Sequence, residues 1–487
     1  MEENNINPTS VVSPSAPWRS SVEKIIGGMA LSAITFSFLC LNYILPTIGM
    51  VLMIIGHRKL RKANGWLKMS WIVLAIWSIL YACILFLGAT IYFDTEIQSG
   101  ILTSFLHIIT AAKFIYLFCF WCGVASINRA EKTFVKATPM VVLLLWYTVV
   151  YLMALLEISS IVIVIALVVL FFVILTKIIC MLDQMEEKRC VIPLSDCVLS
   201  DRVIGWMMIA VLGIGLTIGY CFFSKYEMEW SITDSISSRE VDEVKSNLIE
   251  LGVPEKILDD LCEEDILACK SATQVFVDCE EHPVNKGREV KEQTGPSSYF
   301  ISTVYDVKEL AITNIAIKLD GAKEQWRIIH HFDWLIDPGY RGTEAIKLYP
   351  AYLKNDQGWT ESSHISGQVL YDHSGSTYVA PYYSLGGETY VQETVFWGNQ
   401  AEQAVFATFS FPKEGEHPRG YLSYEIEEVS DGWTIGSFID YEYQRTWMQY
   451  PVMTAKDNRM NSFWGNESAF VRIQESFFVP LEELLVE

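Results

Sequence analysis

The feature that most limits how this chain can fold is a change of character near residue 224. Residues 1–223 carry 15 Lys+Arg against 12 Asp+Glu and are dominated by long apolar runs. Residues 224–487 carry 21 against 45, so the first part is net +3 and the second net −24. An apolar, slightly basic half joined to a polar, strongly acidic half is the composition of a polytopic membrane protein with a water-facing domain. The acidic half would repel nucleic acid and anionic phospholipid, so neither is expected as its partner.

A helix needs about 20 apolar residues to cross a ~30 Å hydrocarbon layer. Met69–Phe93, Ile101–Val124, Ile158–Leu182 and Val203–Phe223 meet that requirement, and Thr138–Leu156 is slightly short but uncharged. Ile25–Gly56 has 32 residues without a charge. As one helix it would be roughly 48 Å long, too long even with ordinary tilt. Asn42, Tyr43 and Pro46 interrupt it, and proline removes a helix hydrogen bond. The spacing predicts two short helices, about 25–41 and 46–60, forming a hairpin. That makes seven spans, whereas a single kinked helix would make six.

Lys and Arg in short loops set orientation. Residues 57–68 hold Arg58, Lys59, Arg61, Lys62 and Lys68. Residues 125–137 hold Arg129, Lys132 and Lys136, and residues 183–202 hold Lys188, Arg189 and Arg202. The intervening 94–100 loop and the turn near Glu157 contain neither residue type. This strict alternation puts the basic loops in the cytoplasm and the acidic half outside. Residues 1–24 read as a disordered, Asn-, Pro- and Ser-rich tail. The first apolar run lacks a small-residue cleavage site and is expected to stay as a span.

The segment Leu41-Asn-Tyr-Ile-Leu-Pro-Thr-Ile-Gly-Met-Val-Leu-Met-Ile-Ile-Gly-His-Arg-Lys-Leu-Arg61 resembles a recurring block in multi-spanning membrane proteins of Gram-positive gut bacteria. The resemblance covers about residues 25–75. It implies a membrane and a bacterial type of protein, and nothing catalytic.

Residues 224–297 read as an acidic helical collar. Ser237 and Glu240 have capping-box spacing, and Val241, Val244, Leu248 and Leu251 recur on one helical face. Gly252 is a natural stop, Pro254 suits the start of a second short helix, and a third begins near Glu263. Thirteen acids lie between Glu240 and Glu281 against Lys245, Lys256 and Lys270. Without an Asp-x-Asp-x-Asp-Gly loop they read as a solvated face rather than a calcium site. Residues 298–487 change to period two: Leu422, Tyr424 and Ile426 alternate with polar residues. Val405, Ala407, Phe409 and Phe411 do the same, as do Trp433, Ile435, Ile439, Tyr441 and Tyr443. Turn signals separate the runs, among them Asp320-Gly321, Pro338-Gly339, Gly386-Gly387 and Asp431-Gly432. The expected fold is an α-helical polytopic membrane bundle plus an extracytoplasmic, mainly antiparallel β domain of sandwich type.

Few residues point to chemistry. Cys262, Cys269 and Cys279 are the cysteines outside. The first two would lie about 10 Å apart along a continuous helix, beyond disulfide reach; Cys279 with either is left open. Cys119-Phe-Trp-Cys122 has redox-motif spacing but lies within a span. His330 and His331 are adjacent on a strand and point to opposite faces. His331 and Asp333 share one, and two ligands do not make a metal site. No hydrolase, P-loop or zincin motif occurs, so no enzyme, cofactor or metal is expected. Tryptophans of the outer half are mostly core, with Trp359 and Trp397, beside turn signals, the candidates for exposed aromatic binding.

Two membrane features are sharper. Lys113 falls at the centre of Ile101–Val124, where an ammonium is costly and is normally paired or faces a wet cavity. The spans offer it no midspan Asp or Glu, while Lys177, near an inner end, can snorkel. Gly215-x3-Gly219 permits close helix approach, within the bundle or in a dimer. The expected role is a plasma-membrane protein whose outer domain recognises a ligand or another membrane or cell-surface protein. The alternative is a transport or export component that uses the bundle.

Overall fold

The computed structural model describes every residue except 1–15, 34–39, 94–99, 132–134, 157, 159, 234–237, 294–298, 355–357, 395–397, 431–433, 448, 461–468 and 480–487. The chain divides into two compact units, Met1–Cys221 and Phe222–Glu487, within two residues of the boundary set by composition.

The first unit is helical: α1 (Arg19–Ala33), α2 (Leu41–Leu60), α3 (Gly65–Leu87), α4 (Ile101–Ala130), α5 (Thr138–Leu155), α6 (Ile161–Glu187) and α7 (Asp201–Phe223). Six of them, α2 to α7, are long and apolar enough to cross a membrane. They turn large apolar side chains outward, Ile79, Leu145, Val162 and Trp206 among them, a surface that hydrocarbon solvates and water does not. Trp18, Ile25, Met53, Leu74, Trp77, Tyr116, Phe120 and Phe171 belong to its interior.

Two boundaries differ from expectation. Helix α1 begins at Arg19, inside the segment read as a disordered tail, because specific contacts hold it. Trp18 Nε1 donates to the Cys190 carbonyl at 2.9 Å, and Arg19 pairs with Asp183 at 2.7 Å and Glu186 at 2.8 Å. The hairpin is present, but its break precedes Leu41 and Pro46 lies inside α2. The Tyr43 carbonyl, in the turn before Pro46, accepts from Thr47 Oγ1 at 2.7 Å and Tyr81 Oη at 3.3 Å. Pro46 leaves the Asn42 carbonyl, four residues earlier, without its backbone donor, and the bonds to the neighbouring Tyr43 carbonyl brace the same turn.

Helices α1 and α2 meet through glycine. A Cβ on Gly28 would stand 2.4 Å from the Gly49 carbonyl oxygen, and one on Gly56 would stand 2.4 Å from that of Ser21. Small residues let two backbones come this close. Where α1 and α7 start and α2 and α6 end, cations and carboxylates gather. The Asp201 carboxylate takes Lys24 at 2.7 Å, Arg58 at 2.6 Å and Lys59 at 3.2 Å.

The second unit opens with β1 (Ser231–Ile232) and three short helices, α8 (Arg239–Glu250), α9 (Glu255–Asp260) and α10 (Glu263–Leu267). The cap of α8 is Ser238, whose hydroxyl accepts from Val241 N at 3.3 Å, one residue later than expected; Ser237 lies outside the described residues. Gly252 adopts φ +107° and ends the turn.

Strands follow: β2 (Ala272–His282), β3 (Arg288–Gln293), β4 (Tyr299–Val304), β5 (Leu310–Leu319), β6 (Gln325–Trp334), β7 (Glu344–Tyr349), β8 (Trp359–His373), β9 (Ser376–Pro381), β10 (Ser384–Thr394), β11 (Gly398–Phe409), β12 (Glu416–Glu428), β13 (Gly436–Gln444) and β14 (Phe470–Phe478). Two more short helices, α11 (Ala351–Lys354) and α12 (Ala455–Met460), interrupt them. All pairings are antiparallel, in a seven-stranded sheet β1-β9-β8-β12-β6-β5-β2, a five-stranded sheet β10-β11-β7-β13-β14 and the β3–β4 hairpin.

The collar is thus shorter than the expected 224–297, since β2 and β3 fall inside that range. As an edge strand with one neighbour, β2 keeps a largely solvated surface and lacks the apolar alternation that reveals a strand. Gly386-Gly387, expected as a turn, lies within β10 opposite Phe406 and Val405.

Side-chain parity organises the sheets. On β5, Leu310, Ile312 and Ala316 join an apolar cluster that also takes Ile346, Leu348, Val405, Phe409, Ile439 and Tyr441 from the five-stranded sheet. The opposite face, Ile315, Ile317 and Leu319, packs with Val241, Leu248, Leu258 and Ile266 of the collar. A strand covered on both faces has a near-continuous apolar pattern, and β5 is buried along nearly its whole length.

Candidate functional site

Lys113 sits on α4, twelve residues or roughly 18 Å from its first residue. Its Nζ lies 4.0 Å from the centroid of the Tyr147 ring and 5.9 Å from that of Trp77. Aromatic faces are attractive to an ammonium, and these two rings flank it. Beside it is a cavity of about 250 Å³ bounded by Ser32, Thr110, Phe114, Trp146, Tyr147 and Tyr151. Among the described residues, no carboxylate pairs with Lys113 and no hydrogen bond is made to its Nζ.

Gly215 and Gly219 lie on α7, where a Cβ would meet the Phe86 ring at 2.2 Å and Ala89 Cβ at 2.7 Å. Both glycines therefore face the end of α3 and the turn after it. Trp359 is 4% exposed and belongs to the apolar cluster of the second unit. Its expected exposure is corrected, because it opens β8 with its ring turned inward. Trp397 lies outside the described residues.

His330 and His331 do point to opposite faces. His330 is hydrogen-bonded to Asn314 Oδ1 at 2.6 Å and Ser437 Oγ at 2.9 Å, on the side of the five-stranded sheet. His331 turns toward the collar and meets Asp260 Oδ2 at 2.9 Å. Burial and these bonds make both imidazoles structural.

The collar side of the seven-stranded sheet carries a charged network that spacing did not reveal. Parity puts Arg327, His331 and Asp333 of β6 beside Arg419, Tyr421 and Glu425 of β12. Arg419 donates to Asp260 at 2.7 Å and Asp372 at 3.1 Å. Arg327 binds Asp265 and Glu425, and Ser366 reaches the same Asp265 at 2.8 Å. Asp333 takes Lys256 of α9 and His417 at 2.8 Å.

The bond to Asp333 raises the His417 pKa. Burial favours the neutral form of Asp333, but bonds from His417 and Lys256 outweigh it and hold the carboxyl down at about 2. The network clamps α9 and α10 onto the sheet.

On the outer side of the five-stranded sheet, parity likewise presents Lys347, Asp440 and Glu442. Lys347 is 1% exposed and bonds Tyr390 and, at 3.4 Å, Glu402. Burial lowers its pKa to about 8. Tyr349 and Tyr390 both donate to Glu402. Arg459 of α12 binds Asp440, and Asn458 donates to Glu442 at 2.6 Å. Burial raises Glu442 to about 7, and raises Glu344, which accepts from Tyr441 in the apolar cluster, to about 7.

These groups are largely committed to one another. Among the described residues, no group of three or more His, Cys, Asp or Glu is arranged to hold a metal, and Cys262, Cys269 and Cys279 of the second unit are free thiols.

No family model matches the chain. No curated protein matches it either. A solved structure described as "AvmM Catalyzes Macrocyclization in Alchivemycin A Biosynthesis" aligns with 12% identity over 33% of this chain and 82% of its own, at a TM-score of 0.16. A likeness at that score carries no inference about fold or activity.

Sequence reasoning found Lys113 because a charge inside an apolar run is conspicuous. It missed the buried networks because their partners are far apart in the chain: Arg327 and Asp265 by 62 residues, Arg419 and Asp260 by 159. The glycine contacts of α1 and α2 had a signal, since Gly49 and Gly56 are seven apart and so share a helical face.

Proposed function

We propose that this is a bacterial plasma-membrane protein whose helical bundle anchors an extracytoplasmic β sandwich, and that the sandwich recognises a ligand or another surface protein. The observation that carries the reading is the segregation of charge in the helical unit. Arg19, Lys24, Arg58 and Lys59 meet Asp183, Glu186 and Asp201 where α1 starts, α2 ends, α6 ends and α7 starts. The connections at the opposite helix ends, 34–40, 88–100 and 156–160, carry no Lys or Arg. With the basic ends in the cytoplasm, α7 runs outward and delivers the acidic half outside.

Recognition rather than catalysis is supported by the absence of a reactive motif and by the pairing of the buried cations Arg327, Arg419, Arg459 and Lys347 with carboxylates. Phe300 and Ile301 on β4 are exposed by 59% and 54%, and they make the hairpin a place to look for a partner. A photo-crosslinker placed at either position in cells should give a discrete adduct, whereas a control at exposed His364 should not. Equal or absent adducts from the hairpin and the control would contradict recognition through this hairpin.

A second reading, a transport component, is favoured by Lys113 and its cavity. Solute flux in proteoliposomes that is lost in Lys113→Ala would support it over recognition alone.

A further inference from the structure

We infer that the cavity beside Lys113 is a binding site for a small monovalent organic anion, a carboxylate carried on an apolar or aromatic body. The inference rests on the reading that α4 crosses a membrane, since in water the ammonium would need no counter-ion. At midspan it does. A buried charge is tolerated when it is paired, and the described residues give Lys113 two ring faces but no carboxylate.

The rest of the lining selects the anion. Thr110 Oγ1 donates to the Leu106 carbonyl at 2.9 Å, and Ser32 Oγ donates to that of Met29 at 3.0 Å. Tyr151 Oη is engaged with His107 at 3.0 Å, and Trp146 Nε1 donates to Leu167 O at 2.9 Å. Those four donors are therefore engaged, which leaves the Tyr147 hydroxyl and the ammonium of Lys113, the single cation in the lining among the described residues. One cation with few free donors matches one negative charge. Sulfate or phosphate would demand more donors than remain, as such groups are held by several hydrogen bonds at once.

The other walls are mostly carbon: Phe114 and the rings of Trp146 and Tyr147, with Val150 and Ala154. These bury an apolar body while the ammonium holds its carboxylate, the usual division of labour in small-molecule sites. At about 250 Å³ the cavity is at or below the lower end of such sites, which keeps the ligand small.

The test uses the full-length protein in phosphatidylcholine nanodiscs at low salt, with benzoate as the probe. Thermal unfolding midpoints are measured against benzoate, chloride, sulfate and cyclohexylammonium. Benzoate should raise the midpoint saturably, and the other three should not. Lys113→Met should require at least about tenfold more benzoate for the same shift, and Lys113→Arg should retain binding. Ala154→Leu keeps the ammonium but fills the cavity and should lose binding too, so the outcome does not depend on Lys113→Met folding.

An unaltered benzoate response in both Lys113→Met and Ala154→Leu would overturn the proposal. So would equal shifts from chloride or sulfate, or no shift in the parent protein. Benzoate binding without flux in proteoliposomes would remove the transport reading and leave the site. Flux without Lys113-dependent benzoate binding would remove the site and leave transport.

Discussion

The two units treat buried charge in opposite ways. In the β unit the strongly buried cations have carboxylate partners: Arg327 has Asp265, Arg419 has Asp260, Arg459 has Asp440 and Lys347 has Glu402. In the helical unit the charges at the helix ends are paired as tightly, yet among the described residues Lys113 at midspan meets only rings. Paired charges fasten elements together, here α9, α10 and α12 onto their sheets. An unpaired one costs stability, and that cost is what our proposed anion site would offset. The units also close their interiors differently. The sheets fill theirs with large side chains, whereas α1 and α2 dispense with side chains and bring backbones together at Gly28, Gly49 and Gly56.

The largest expected effect breaks the paired half of this comparison. Arg327→Ala leaves Asp265 and Glu425 without their guanidinium in a site that is 5% exposed at Arg327. It should destabilise the β unit by about 3–5 kcal/mol, read by denaturant unfolding. A loss under about 1 kcal/mol would mean that the network does not hold the collar.

Next comes pH. Glu344 and Glu442, both raised by burial to about 7 in the fold, bind protons more tightly folded than unfolded. Their contribution is full below the ordinary carboxylate range near 4.5 and is lost as pH rises to about 7. His417, also raised, acts in the same direction: full below 6.5 and lost as pH passes its folded value. Lys347, lowered to about 8, has the opposite sign, and stability recovers between about 8 and 10.5. Unfolding from pH 4.5 to 7.5 should therefore show stability falling, with Glu344→Gln removing on the order of 3 kcal/mol of that fall. A stability that rises over this interval would contradict the burial of these carboxyls as uncompensated groups.

Overpacking sharpens the contrast in the helices. Gly56→Leu would drive a side chain into the Ser21 carbonyl and Ile25, and should cost about 1–3 kcal/mol. Gly65→Leu, with open space around it, should cost less than the Gly56 change in a thermal unfolding assay. Equal losses would deny the close contact of α1 and α2. The smallest effect is the α8 cap, where Ser238→Ala should cost about 1 kcal/mol and Arg239→Ala, whose ion pair with Glu243 is solvent-exposed, close to nothing.

What the sequence made legible follows the reach of each signal. Helices α3 to α7 were readable because each carries its whole apolar pattern within itself, and β12 and β13 because one face is polar. The start of α1 was not, since Trp18 and Arg19 are ordered by Cys190, Asp183 and Glu186, which are more than 160 positions away. The break before Leu41 was misplaced because Pro46 looks like a breaker, yet its turn is supplied with side-chain donors from Thr47 and Tyr81. Strand β2 was hidden by its solvated face, and Trp359 was misjudged because a turn signal beside a residue does not say which way a ring points. Of the site, Lys113 was visible, while the Tyr147 ring that flanks it, 34 positions on, was not.

Both functional readings depend on the direction in which α7 leaves the bundle. Single cysteines at Lys62 and Lys188, and one after residue 300, can be labelled on intact cells by a membrane-impermeant maleimide in a background free of the native thiols. The outer-half position should label without permeabilisation, and the two basic-loop positions only after it. Labelling of Lys62→Cys and Lys188→Cys from outside, with the outer-half position protected, would contradict the topology and every functional reading built on it.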